Sequence, residues 1–95
     1  MVKGELKSLR ITLEAVDEQV VGYVHLAEIS SSQVAETVNI EPGVHADYDN
    51  AGHLLGVEFL HAQQADANMM RRLAVRLKAH ELAGIDLSEM CKTQA

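Results

Sequence analysis

Polar and apolar residues alternate through Ser8-Leu9-Arg10-Ile11-Thr12-Leu13, the period of a strand that buries one face, with Leu9, Ile11 and Leu13 expected to point inward. Glu14 to Gln19 is polar enough for a turn. Val20 to Ile29 follows as a Val-rich strand containing Tyr23, Val24 and Leu26. Apolar on both faces, it suits a central strand, or one covered on its second side by a helix or a partner subunit. Ser30-Ser31-Ser32-Gln33 reads as a loop. Val34 to Ile40 alternates again, with Val34, Glu36, Val38 and Ile40 on one face, and Pro42-Gly43 marks a turn.

The clearest stretch is Gly43 to Leu60, two short β patterns around Asp49-Asn50-Ala51-Gly52. Asp is placed to cap the turn with its side chain, and Gly to supply a positive φ. Two registers compete. A type I turn with Gly52 as a bulge sets Tyr48 against Leu54 and His45 against Val57. A two- or four-residue loop sets Tyr48 against His53, Ala46 against Leu55 and Val44 against Val57. The second gathers Val44, Ala46, Leu55, Val57 and Phe59 on one face and is preferred on that ground, although turn chemistry alone favours the first. Gly56, between Leu55 and Val57, marks a bulge or a close backbone approach.

From about Asp66 the period becomes helical. Met69, Met70, Leu73, Ala74 and Leu77 form a stripe fit to cover a sheet face, and Gly84 is the expected C-terminal cap, with Ile85 as its hydrophobic contact. Val75, Ala79 and Leu82 make a second apolar patch, bordered by Arg71, Arg72 and Lys78, which the tail or another subunit must cover. The pattern predicts a single α+β domain over residues 1–95. It comprises an antiparallel β-meander of about five strands over 8–62, one C-terminal helix over 66–83 packed on the sheet, and a tail over 84–95.

Composition sharpens this picture modestly. Aromatics make up 3% of the 95 residues, so the core must be built from aliphatic side chains, and burial through self-association becomes attractive. The net charge of −6 argues against general binding to nucleic acid or anionic membrane. Residues 1–70 carry 3 Lys+Arg against 11 Asp+Glu, whereas residues 71–95 carry 5 against 3, so the two ends differ in sign. No segment has the length of a membrane span or the form of a signal peptide. The lone Cys91 fits a reducing compartment and has no catalytic partner beside it in sequence. A cytoplasmic location is expected.

Within the hairpin, Gly43, Val44, Asp47, Tyr48, Asp49, Gly52, Gly56, Glu58 and Leu60 follow a pattern that resembles the YuzE-like family of small prokaryotic domains of unknown function. Tyr23-Val24-His25-Leu26 and Val34-Ala35-Glu36-Thr37 are similar to two further stretches of that family, so the resemblance covers roughly residues 8–63. Leu13-Glu14-Ala15-Val16-Asp17-Glu18 departs from the family's Tyr-Asp-Pro-like turn, and the C-terminal helix extends beyond its short core. The resemblance carries over no catalytic residues. It implies a partner-binding or antitoxin-like role, since some relatives are encoded beside small toxin-like proteins.

Two constellations bear on chemistry. His45, Asp47 and Asp49 occupy alternate positions and, with His53 across the turn, offer a ligand set for zinc or another divalent ion; the alternative is an exposed strand face with polar turn residues. Glu58 and Asp47 form a candidate acid/base pair in the preferred register, against which stands ordinary solvation. No phosphate loop, zinc spacing or nucleophile motif occurs, and no cofactor is called for. The helix cations Arg71, Arg72, Arg76 and Lys78 admit three readings: a solvated face, a contact with the acidic sheet of another subunit, or nucleic acid, for which interleaved aromatics are lacking. The leading expectation is a non-enzymatic, homo-oligomeric or partner-binding module. Its contact residues would be Arg71, Arg72, Val75, Ala79 and Leu82, with the outward face of the Val-rich strand. A small metal-dependent or acid/base enzyme using the hairpin face is the competitor.

Overall fold

A computed structural model describes residues 9–27 and 33–92. Its strands are β1 (Arg10–Val16), β2 (Gln19–His25), β3 (Glu36–Glu41), β4 (Val44–Tyr48) and β5 (Leu54–Phe59). A 3-10 turn at Ala62–Gln64, helix α1 (Ala67–Leu77), a second 3-10 turn at His80–Gly84 and helix α2 (Leu87–Lys92) follow. This is an α+β fold. Expectations that fell on Ser8, Glu28, Ile29, Ser30 to Ser32 and the last three residues lie outside the described residues.

The five strands form one antiparallel sheet, but its order is β1-β2-β5-β4-β3, which corrects the expected meander. Burial fits this order. Leu55, Gly56, Val57 and Phe59 of β5 are all buried, as suits an interior strand. It lies beside β2, with the Leu26 N–H donating to the Leu55 carbonyl at 2.9 Å. Strand β3, polar at Glu36, Thr37 and Asn39, takes an edge and is irregular between Asn39 and Glu41, where its register on β4 shifts. The first strand also runs further than expected, to Val16. It closes on a turn at Asp17-Glu18 in which Asp17 adopts φ 58°.

The single predicted helix is two helices. Asp66 starts α1 as expected, its carboxylate accepting from the Met69 N–H at 3.0 Å. Termination comes at Lys78 rather than Gly84. Lys78 adopts φ 57°, ψ 42°, its N–H donates to Val75 O at 3.3 Å, and the Ala79 N–H reaches Ala74 O at 2.9 Å, the two bonds of a Schellman motif. Gly84 instead ends the 3-10 turn. The early stop brings Ala79 and Leu82 inside, with Leu82 fully buried. Asp86 then caps α2, accepting from the Glu89 N–H and the Ser88 hydroxyl.

The chain divides into two compact units, one drawn from Met1–Thr12 and Tyr23–Glu58, the other from Leu13–Gly22 and Phe59–Ala95. Val24, Val44, Ala46, Leu55 and Val57 are the buried apolar side chains of the first. Phe59, Met70, Leu73, Leu82 and Leu87 are the largest of the second. Both cores are aliphatic apart from Phe59.

Candidate functional site

In the first unit, the polar face of the hairpin is organised by Tyr23. Its hydroxyl donates to Asp47 Oδ2 at 2.6 Å, while Thr37 Oγ1 donates to Asp47 Oδ1, also at 2.6 Å. Thr37 and Asp47 are cross-strand partners in the β3–β4 ladder. Both carboxylate oxygens are thus held by short, charge-assisted bonds. Burial raises the Tyr23 phenol pKa well above its ordinary range, and the bond to Asp47 and the charges of Asp47 and Glu58 push it the same way. Tyr23 is a fixed proton donor, not a base.

Gly56 makes this arrangement possible. A Cβ at that position would lie 2.4 Å from Tyr23 Cε1 and Oη, so the ring rests directly on the β5 backbone. The expected close approach at Gly56 is therefore an intramolecular one. Tyr23 also stacks on His25, ring centroids 4.5 Å apart and tilted by 53°. His25 Nδ1 is buried and has no hydrogen-bond partner among the described residues. Burial, then the positive charge of Arg10, lowers the His25 pKa and favours the neutral ring.

The four metal-ligand candidates do not converge. His45 Nδ1 lies 3.2 Å from Glu58 Oε1, Asp47 is engaged by Tyr23 and Thr37, and Asp49 pairs with His53 at 3.2 Å. Among the described residues no three His, Cys, Asp or Glu side chains are grouped to hold a metal ion. Asp49 Oδ1 accepts from the N–H groups of Ala51 and His53 at 2.9 and 2.8 Å. Its pKa is lowered, chiefly by the His53 backbone bond. This is the capping role its turn position predicts. Asp47 and Glu58, the candidate acid/base pair, each hold a different partner.

At the turn the structure corrects the preferred register in favour of the bulged one, since Asp49 rather than Tyr48 pairs with His53. The turn is closed by Gly52 N–H to Asp49 O at 3.0 Å, with Gly52 at φ 84° and the Asp49 N–H bonded to His53 O, as the bulged turn requires. The buried set Val44, Ala46, Leu55, Val57 and Phe59 is nevertheless the one for which the other register was preferred.

In the second unit, an open groove of about 430 Å³ runs along the end of α1, lined by Arg71, Ala74, Val75, Lys78, His80 and Ala83. Val75 in its lining is 80% exposed. Of the five contact candidates, Val75, Arg71 and Arg72 are exposed, whereas Ala79 and Leu82 are buried because the helix stops before them. The Arg71 guanidinium is anchored to Asn68 Oδ1. The sequence reading missed His80 and Ala83, which only the turn back from helical geometry brings beside Val75. It also missed Tyr23 and Thr37 as partners of Asp47; Gly56 was the available signal. The half-buried Cys91 thiol has its pKa raised by desolvation, which lowers its reactivity.

Residues 21–63 match the model of a family described as "Protein of unknown function (DUF2283)", the family that the hairpin resembles. The match takes in Tyr23, Thr37, His45, Asp47, Gly56 and Glu58. No curated protein and no solved structure matches the chain. Among the described residues no helix is long and apolar enough to cross a membrane.

Proposed function

From the premise that residues 21–63 are a DUF2283 domain, we propose that this chain is a non-enzymatic, self-associating interaction module, whose α1 groove receives the acidic surface of a second copy. The observation that carries this reading is the exposed Val75 in a groove that Ala74 and Ala83 line together with Arg71, Lys78 and His80. Charge complementarity favours a second copy as the partner, since residues 1–70 hold 11 Asp+Glu against 3 Lys+Arg. The apolar side chains supply contact energy, and the cationic ones select an acidic partner and disfavour another basic surface.

The hairpin face supports the non-enzymatic part of the reading. Asp47 is held by two hydroxyl donors, Tyr23 keeps its proton, and His45 faces Glu58. These groups are turned toward one another, which is the arrangement of a structural network. A reducing, cytoplasmic setting belongs to the same proposal and fits the single cysteine.

Sedimentation or light scattering tests it. The wild-type mass is expected to exceed the 10.4 kDa of one chain, and Val75→Asp, at an exposed position that tolerates a charge, is expected to lower it. A monomeric wild type, or a mass unchanged by Val75→Asp, would refute the groove as a contact.

A further inference from the structure

We infer that β1 is a second self-association surface, pairing antiparallel with β1 of another copy across a two-fold axis through Thr12. It rests on the preceding reading only in that copies of this chain meet; the surface is a different one. Among the described residues β1 has a single neighbour, β2, and forms one edge of the sheet. The opposite edge, β3, is irregular between Asn39 and Glu41, ends at Pro42 and carries Glu36 and Glu41, devices that discourage edge-to-edge pairing. β1 is seven residues of Arg-Ile-Thr-Leu-Glu-Ala-Val with no proline, glycine or lysine. Of the three exposed large hydrophobic residues among the described ones, Leu9 at 40% immediately precedes this strand and Val16 at 45% ends it.

Backbone direction fixes which residues offer hydrogen bonds. In an antiparallel sheet alternate residues bond to opposite neighbours. The Val20 N–H donates to Gln63 Oε1 and the Leu26 N–H to Leu55 O, so the even positions of β2 turn away from β1 and the odd positions turn toward it. Across the turn at Asp17-Glu18, Val16 faces Gln19, and the even positions of β1 therefore bond to β2. Leu9, Ile11, Leu13 and Ala15 direct their N–H and C=O groups outward.

One register fits these groups and the charges together. With Thr12 opposite Thr12, Arg10 comes opposite Glu14 and Glu14 opposite Arg10, giving two symmetric opposite-charge pairs at the closely spaced positions. Ile11 then bonds Leu13, and Leu9 lies against Ala15. Moving the strands by two residues along the ladder sets Arg10 against Val16 and Glu14 against Thr12, which loses both pairs. The even positions Arg10, Thr12 and Glu14 are all exposed and available to the partner.

The test is made in the Val75→Asp chain, where the groove contact is removed. That chain is expected to sediment at twice 10.4 kDa. Arg10→Glu or Glu14→Arg alone replaces two attractive pairs with two repulsive ones and should weaken association at least about tenfold. An equimolar mixture of the two variants, and the double swap Arg10→Glu/Glu14→Arg, should each restore it. Circular dichroism on every variant checks folding. A monomeric Val75→Asp chain, single variants that dimerise as before, or a failure of both the mixture and the double swap to recover would each overturn the β1 pairing. The groove contact stands or falls separately, on the difference in mass between the wild type and Val75→Asp.

Discussion

Replacing Gly56 with alanine separates a structural glycine from a merely tolerated one, because the two accounts predict opposite signs. Gly56 is not among the glycines at positive φ, so its backbone conformation is open to alanine. On backbone entropy alone, Gly56→Ala should stabilise by about 0.4–1 kcal/mol. The structure predicts the reverse. The new Cβ would lie 2.4 Å from both Cε1 and Oη of Tyr23, and carbon contacts are comfortable only near about 3.5–4.0 Å. The ring must retreat by roughly 1 Å. Its hydroxyl is held 2.6 Å from Asp47, which is itself tied to Thr37. Such a retreat carries the Tyr23 to Asp47 bond beyond hydrogen-bond length.

Overpacking costs about 1–3 kcal/mol. Loss of a charge-assisted bond adds about 1–2 kcal/mol, the lower part of its usual range because the site is half-exposed. The net expectation is a loss of about 2–4 kcal/mol, read as a fall of about 1–2 M in the urea midpoint at unchanged slope. A double-mutant cycle localises the cause. In a Tyr23→Ala background the cost of Gly56→Ala should shrink to about 0.5 kcal/mol or less. An unchanged or higher midpoint for Gly56→Ala, or an equal loss in both backgrounds, would show that the ring does not rest on this strand as described.

Lys78 holds a left-handed conformation that glycine adopts freely; Lys78→Gly should stabilise by about 0.5–1 kcal/mol and raise Tm by about 2–8 °C in calorimetry. Spectrophotometric titration of the two tyrosines should find one phenol still protonated well above the ordinary value near 10, and Tyr23→Phe should remove that late step. Because the folded chain keeps a proton that the unfolded chain releases, Tyr23 contributes stability present below the unfolded pKa and lost as pH rises through the folded one. The Asp49 carboxyl, followed by NMR, should titrate below the usual carboxylate range. His53→Ala should preserve most of that depression, since the backbone N–H is its main cause. With its folded pKa lowered, Asp49 contributes stability above the unfolded value that is lost as pH falls through the folded one.

Local features of this fold were legible in the sequence and long-range ones were not, for physical reasons visible at particular residues. The turn at Asp49 to Gly52, the helix start at Asp66 and the close approach at Gly56 depend on neighbouring backbone, and sequence shows them directly. Strand order depends on which strand has both faces covered. The near-continuous apolar run of β5 is the sequence signal of an interior strand, whereas the alternation in the hairpin speaks only to its local register. The end of α1 was misread because a glycine at 84 is the usual left-handed cap, whereas a lysine at 78 takes the position once Ala79 and Leu82 can be buried beyond it. That single difference buried Ala79 and Leu82 and left Val75 as the exposed member of the expected second patch. Tyr23 and Asp47 lie 24 positions apart, and only strand order brings them together.

The residues that make the DUF2283 stretch recognisable are largely accounted for by structure. Asp47 anchors Tyr23, Gly56 admits the ring, Glu58 faces His45, and Asp49 with Gly52 shapes the turn. A motif whose members satisfy one another leaves little unsatisfied chemistry for a substrate. Among the described residues, the exposed large hydrophobic side chains Leu9, Val16 and Val75 all fall outside residues 21–63. They lie at the β1 edge of the sheet and in the α1 groove, the two surfaces proposed above as contacts. On the proposed reading, the hairpin stretch is a scaffold and the segments on either side of it carry the contact surfaces. Substitutions within the Tyr23, Asp47 and Gly56 network should therefore change stability before assembly, and substitutions at Arg10, Glu14 or Val75 should change assembly at nearly constant stability.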